Sequence, residues 1–184
     1  MHSLELRHFN KDKLLLHTTF LFVKKSLVDL TKVNIYGTHR SHEIEYFQMD
    51  NFSGKYSVVL TRMEKYQPNF GHIHIRPDSV LSLYPDYDLE WNDFNKIFDN
   101  KFKNPRQALE VLSPTFMEEL VALRNTYHEI EIEYFEDKNY HTHTLAVIVR
   151  GYLIEISDSE REVQESVEKI MTLLDNVITL KESI

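Results

Sequence analysis

The stretch Glu129-Ile130-Glu131-Ile132-Glu133-Tyr134, followed after Glu136-Asp137-Lys138-Asn139 by Leu145-Ala146-Val147-Ile148-Val149, decides the fold of this 184-residue chain. In its first half acids alternate with apolar residues, a period of two that puts the two kinds on opposite faces of a strand. The acids Glu129, Glu131 and Glu133 then share a face turned to solvent. The polar quartet supplies a turn, and Tyr140 to Arg150 returns as a longer strand whose unbroken apolar run predicts central burial. Gly151 ends it, and Tyr152 to Ile156 is read as one further strand.

Before this hairpin stands a block of helix signals. Ser113-Pro114 provides a cap and a first position, and Met117, Leu120, Val121 and Leu123 form an apolar stripe behind it. Asn104-Pro105 opens a shorter helix through Leu112, and Trp91, Phe94, Phe98 and Phe102 recur at helical spacings, predicting an amphipathic helix with an aromatic core face. Further back, His72-Ile73-His74-Ile75-Arg76 alternates as a strand closed by Pro77-Asp78, with a second short run from Val80 to Tyr84. Ile44, Tyr46 and Phe47 precede the turn-like Asp50-Asn51-Phe52-Ser53-Gly54, and Tyr56 to Leu60 follow it, predicting another hairpin. Residues 1 to 36, with Leu14-Leu15-Leu16 and Phe20-Leu21-Phe22-Val23, are read as helix in preference to two short strands. After Ser157-Asp158-Ser159, a long terminal helix carries Val163, Val167, Ile170, Leu174 and Val177 on one stripe, widened by Met171 and Ile178.

Strands grouped on both sides of a helical block predict an α+β fold, a mainly antiparallel sheet covered by helices and ending in a long C-terminal helix. No repeat and no Pro- or Gly-rich linker divides the chain, so residues 1 to 184 are expected to form a single domain.

Composition removes several classes of function. The balance of 21 Lys and Arg against 29 Asp and Glu gives a net charge of -8, the sign that phosphate backbones repel, so nucleic acid is not an expected partner. The absence of cysteine excludes disulfides, thiolate nucleophiles and Cys-ligated metal centres. The apolar stretch Leu14 to Leu30 is interrupted by His17, Lys24, Lys25 and Asp29, too short and too charged to span a bilayer, and the terminal helix lacks the basic face of a lipid binder. Met1-His2-Ser3-Leu4-Glu5 has no secretory character, which leaves a soluble cytoplasmic protein as the expectation.

The one unusual count is histidine, at ten. His72 with His74 and His141 with His143 lie two apart in predicted strands, so each pair shares a face. Were the strands neighbours, four imidazoles, or three with Glu131, could hold zinc or iron; otherwise both pairs decorate a wet face. His39-Arg40-Ser41-His42 follows Gly37-Thr38 and reads as a loop. The acid pairs Asp86 with Asp88 and Glu131 with Glu133 could do acid–base work, but alternating strand acids read first as a solvated face. Tyr84, Tyr87 and Trp91 among Asp86, Asp88 and Glu90 could recognise a cation or peptide, with core packing plus a loop as the simpler reading. No G-x-S-x-G, H-E-x-x-H, phosphate loop or dinucleotide fingerprint occurs.

The order of Phe52-Ser53-Gly54, Trp91, Phe94-Asn95-Lys96, Phe98, Asn104-Pro105, Ala108, Leu112-Ser113-Pro114, Met117, Leu120, Leu123 and Tyr152-Leu153-Ile154-Glu155-Ile156-Ser157 resembles a bacterial family, the domain of unknown function family three-one-three-seven. The resemblance spans roughly residues 45 to 180 and departs at Asn104, where the family usually has Asp, and near Leu109, where an Arg is often found. It implies a soluble bacterial module, tethered to membranes in relatives, and no activity. The resulting expectation is a non-catalytic binding or scaffold module for an unidentified protein or small molecule, free of cofactor, with homo-oligomerisation through the C-terminal helix as one mode of assembly. The alternative is a metal-dependent hydrolase using His72, His74, His141 and His143 with zinc or iron.

Overall fold

The computed structural model describes residues 3–6, 29–51, 54–63, 72–78, 89–102, 104–137, 142–154 and 159–184. Its strands are β1 (Ser3–Leu6), β2 (Asp29–His39), β3 (His42–Asn51), β4 (Gly54–Met63), β5 (His72–Pro77), β6 (Phe98–Phe102), β7 (Ile130–Asp137) and β8 (Thr142–Arg150). The helices are α1 (Asn92–Asn95), α2 (Pro105–Val111), α3 (Pro114–Thr126) and α4 (Glu160–Glu182). The strands join in one sheet of order β1-β2-β3-β4-β8-β7-β5-β6, and each neighbouring pair is antiparallel. The α+β class and the antiparallel sheet therefore agree with the sequence.

Register sorts the side chains. The row Ile35, Tyr46, Val59, Val147, Ile132, Ile75 and Asn100 runs across seven strands on one face. Its apolar members pack in one cluster with Phe94 of α1, Ala108 and Val111 of α2, Phe116, Leu120 and Leu123 of α3, and Ile170, Leu174 and Val177 of α4. The next row, Tyr36, Glu45, Leu60, Ala146, Glu133, His74 and Lys101, lies on the opposite face. There Phe47, Met49, Val58, Leu60, Phe135, Ala146 and Ile148 form a second, smaller cluster.

The local signals hold at α3 and at the hairpin of β3 and β4. Ser113 caps α3, its Oγ accepting from the Phe116 N–H at 3.1 Å and donating to the Ser183 carbonyl at 3.0 Å, which ties the start of α3 to the end of α4. The buried residues of α3 are Phe116, Leu120 and Leu123, with Met117 and Val121 flanking them.

Four expectations are corrected. Residues 3–6 and 29–36 belong to strands β1 and β2 rather than a helix; Leu14 to Val23 lie outside the described residues. The aromatic helix is one turn only, and Phe98 begins strand β6. Phe98 and Phe102 satisfy a spacing of two as well as four, and hydrogen bonding to β5 selects the strand. Tyr152 to Ile154 is irregular, and the remainder of that predicted strand lies outside the described residues. Glu133 is only 1% exposed, so the alternating acids of β7 do not form a uniformly wet face.

In α4 the stripe is buried from Ile170 onward, but Val163 and Val167 are 45% and 52% exposed. From Glu160 to Lys169 only Ser166 is buried, and the exposed turns carry ladders from Arg161 to Glu165 and Gln164 to Glu168. No helix among the described residues is long and apolar enough to cross a membrane.

Candidate functional site

Alternation along β5 sends His72, His74 and Arg76 to the face opposite the helices, and register brings them against Glu131 and Glu133 of β7 and Asp99 and Lys101 of β6. The result is a polar ladder at one end of this face, beside the smaller apolar cluster. His72 Nε2 lies 3.5 Å from Glu133 Oε2, and His74 Nε2 lies 3.5 Å from Glu131 Oε2. Both contacts are diagonal, because the residues directly opposite are Phe135 for His72 and Glu133 for His74. The imidazole planes are nearly parallel, 16° apart with centroids 6.1 Å from each other.

Burial differs sharply along the ladder. The side chains of His72 and Glu131 are 30% and 42% exposed, whereas His74 and Glu133 are enclosed. Glu133 Oε2 is buried without a hydrogen bond, an arrangement that burial of a carboxylate normally forbids. One rung further, Arg76 donates from Nε and Nη2 to Asp99 Oδ2 at 3.2 and 3.0 Å, so the buried Asp99 carboxylate is neutralised.

The remaining histidines go elsewhere. His143 lies on the helix-facing side of β8, 2.8 Å from the Tyr134 hydroxyl through Nδ1, with the rings edge to face. The register runs unbroken from Glu133↔Ala146 to Glu136↔His143, and the three-residue step from Ala146 puts His143 on the face opposite His72 and His74. These three do not converge, since β7 separates β5 from β8 and the faces differ. His141 lies outside the described residues, as do Tyr84, Asp86, Tyr87 and Asp88. Trp91 packs on Phe94 at the edge of the core, with centroids 5.9 Å apart. Among the described residues no three His, Asp or Glu side chains are already gathered around one point suited to a metal.

His39 to His42 form the tight turn between β2 and β3, with Arg40 and Ser41 both in the left-handed region at φ 48° and 71°. The turn docks on the end of α4. His39 Nε2 meets Asp175 at 2.8 Å, Arg40 reaches Glu182 at 3.5 Å, and Lys181 Nζ donates to His42 Nδ1 at 2.9 Å. An ammonium group can only donate, so His42 carries its proton on Nε2, which faces Glu182 at 3.2 Å. This is a structural clasp, legible in the sequence only as a loop.

A hub missed in the sequence is Ser57. Its Oγ donates to the Gly151 carbonyl at 2.9 Å and accepts from the Leu153 N–H at 3.1 Å, which leaves Tyr46 as the donor in their 3.1 Å contact. Burial pushes the Tyr46 phenol up to about 12, and burial also raises the Tyr134 phenol well above the ordinary tyrosine value. Serine is so often a surface residue that no local pattern marks this one.

No family model matches this chain, and no curated protein or solved structure matches it.

Proposed function

We propose that this chain is a non-catalytic binding module whose ligand site is the ladder His72, His74, Glu131 and Glu133. The single observation that supports it is Glu133: a buried carboxylate with an oxygen that no hydrogen bond satisfies, lying beneath the partly exposed ring of His72. Such a group is poor structural material and a good recognition element for a positively charged ligand. On this reading the helices cover the opposite face as a scaffold, and the rigid strands hold the ladder in place. The protein is bacterial and cytoplasmic, a relative of the domain of unknown function family three-one-three-seven.

The test is a thermal-shift screen of the full chain against small cations and cationic metabolites. A hit that stabilises the wild type and has no effect on Glu133→Gln supports the reading. If no ligand depends on Glu133, the ladder is not the site.

The hydrolase alternative is favoured by the two imidazole–carboxylate contacts at 3.5 Å, but its candidate ligands reduce to His72 and His74 with Glu131 and Glu133. It demands turnover of an ester or phosphoester that disappears in His72→Gln. Self-assembly would use the exposed head of α4 at Val163 and Val167, and light scattering over a concentration series tests it directly.

A further inference from the structure

The geometry points to the His72–Glu133 contact as a binding edge for a zinc-type divalent cation. This inference rests on the binding reading above and names its ligand. Ligands bonded to tetrahedral zinc at about 2.0 to 2.1 Å stand about 3.4 Å apart along an edge of the tetrahedron. The separation of His72 Nε2 from Glu133 Oε2 is 3.5 Å, too long for a good charge-assisted hydrogen bond and the right length for two ligands of one ion. The flanking contact of His74 with Glu131 repeats the same 3.5 Å one step along the strands.

The donor set selects the class of ion. Imidazole nitrogen beside carboxylate oxygen suits zinc, iron, copper and nickel, whereas calcium and magnesium prefer oxygen alone. Glu131 and Glu133 repel anions. The ion also answers the anomaly at Glu133, because it would supply the positive partner that its buried oxygen lacks. The His72 ring is 30% exposed but its Nε2 is buried, so the edge lies just beneath that ring. Among the described residues no third side chain is already gathered at this edge, so the inferred ion has two protein ligands.

The experiment is calorimetric titration of the chelator-treated full chain with zinc chloride, alongside His72→Gln, Glu133→Gln and a control, His128→Gln, at an exposed histidine between α3 and β7. The expected result is one zinc per chain, with binding weakened roughly tenfold or more by each ladder substitution and unchanged in the control. The partly exposed His72 can be replaced without disturbing the core, so its variant decides the matter even if Glu133→Gln folds poorly. No zinc uptake by the wild type, zinc uptake that His72→Gln leaves intact, or an equal loss in the control overturns the inference. If zinc fails while another cation stabilises the wild type but not Glu133→Gln, the metal falls and the binding reading stands. If nothing depends on Glu133, both fall.

Discussion

Replacing Glu133 by methionine should make this protein more stable. The side chain is 1% exposed and its Oε2 has no hydrogen bond, so removing the carboxylate relieves about 1 to 3 kcal/mol of uncompensated desolvation. What is lost is the contact with His72 at 3.5 Å, whose partly solvated imidazole limits its worth to about 1 kcal/mol or less. Methionine has a similar volume, and its new neighbours on this face include Ala146 and Phe135, both apolar. The net expectation is a gain of about 1 to 2 kcal/mol, in line with other buried charges exchanged for apolar residues. At this chain length that corresponds to a Tm rise of roughly 2 to 8 °C. Urea denaturation at pH 7 with a chelator present measures it, provided the slope m is unchanged. A loss of more than about 1 kcal/mol would refute the reasoning, since it would mean that the carboxylate holds the fold together. A double-mutant cycle with His72→Ala should then show coupling below about 1 kcal/mol.

Other outcomes follow from the same reasoning. Ser57→Ala removes one acceptor for two donors and one donor for Gly151, and should cost about 2 to 4 kcal/mol by denaturant titration. Tyr46 titrates at about 12 in the folded protein against 10.0 ordinarily, so its contribution is fully present below pH 10 and is lost as pH rises through 12. That contribution is about 2 to 3 kcal/mol, and Tyr46→Phe should flatten the fall in stability measured between about pH 10 and 12, leaving the part due to Tyr134. At Ser41, φ 71° is costly for a β-branched side chain, so Ser41→Val should lose about 1 to 2 kcal/mol in thermal melts while Ser41→Gly is tolerated. Along α4, Val163→Ser and Val167→Ser should each change stability by under about 0.5 kcal/mol, whereas Leu174→Ala should cost about 2 to 5 kcal/mol.

What the sequence makes legible here is local chemistry. Ser113-Pro114 starts α3 because a hydroxyl and a ring do the same work in any surroundings, and β8 is central because a five-residue apolar run has nowhere else to go. Where two periods fit, local chemistry cannot choose: Phe94, Phe98 and Phe102 serve a helix, yet the edge of β5 offers Phe98 and Phe102 backbone partners that a helix would forgo. Residues 29–36 gave the same ambiguity, and pairing with β3 resolves it as strand. The α4 stripe shows the converse limit. Val163 and Val167 continue the pattern of Ile170 and Leu174, but periodicity reports only which side of a helix is apolar, and whether anything covers that side depends on where the sheet ends.

The candidate site depends on a further quantity that composition and spacing do not contain, which is register. His72 and His74 share a face by alternation alone, and so would His141 and His143. Whether the two pairs meet is set by how β7 aligns with each neighbour. The alignment of Glu133 with both His74 and Ala146 fixes one parity for the whole face, and His143, three residues before Ala146, falls on the other. A slip of one residue between β7 and β8 would reverse this, but it would also drive Val147 and Val149 out of the main core and expose them on the wrong side. The apolar rows therefore dictate where the polar residues go. Glu133 is enclosed because Ile132 and Tyr134 on either side of it must face the helices, which leaves its carboxylate beside Ala146 and within reach of the imidazole of His72. The unsatisfied oxygen is thus a consequence of core packing that a structural role does not require, and a bound cation would give it a use.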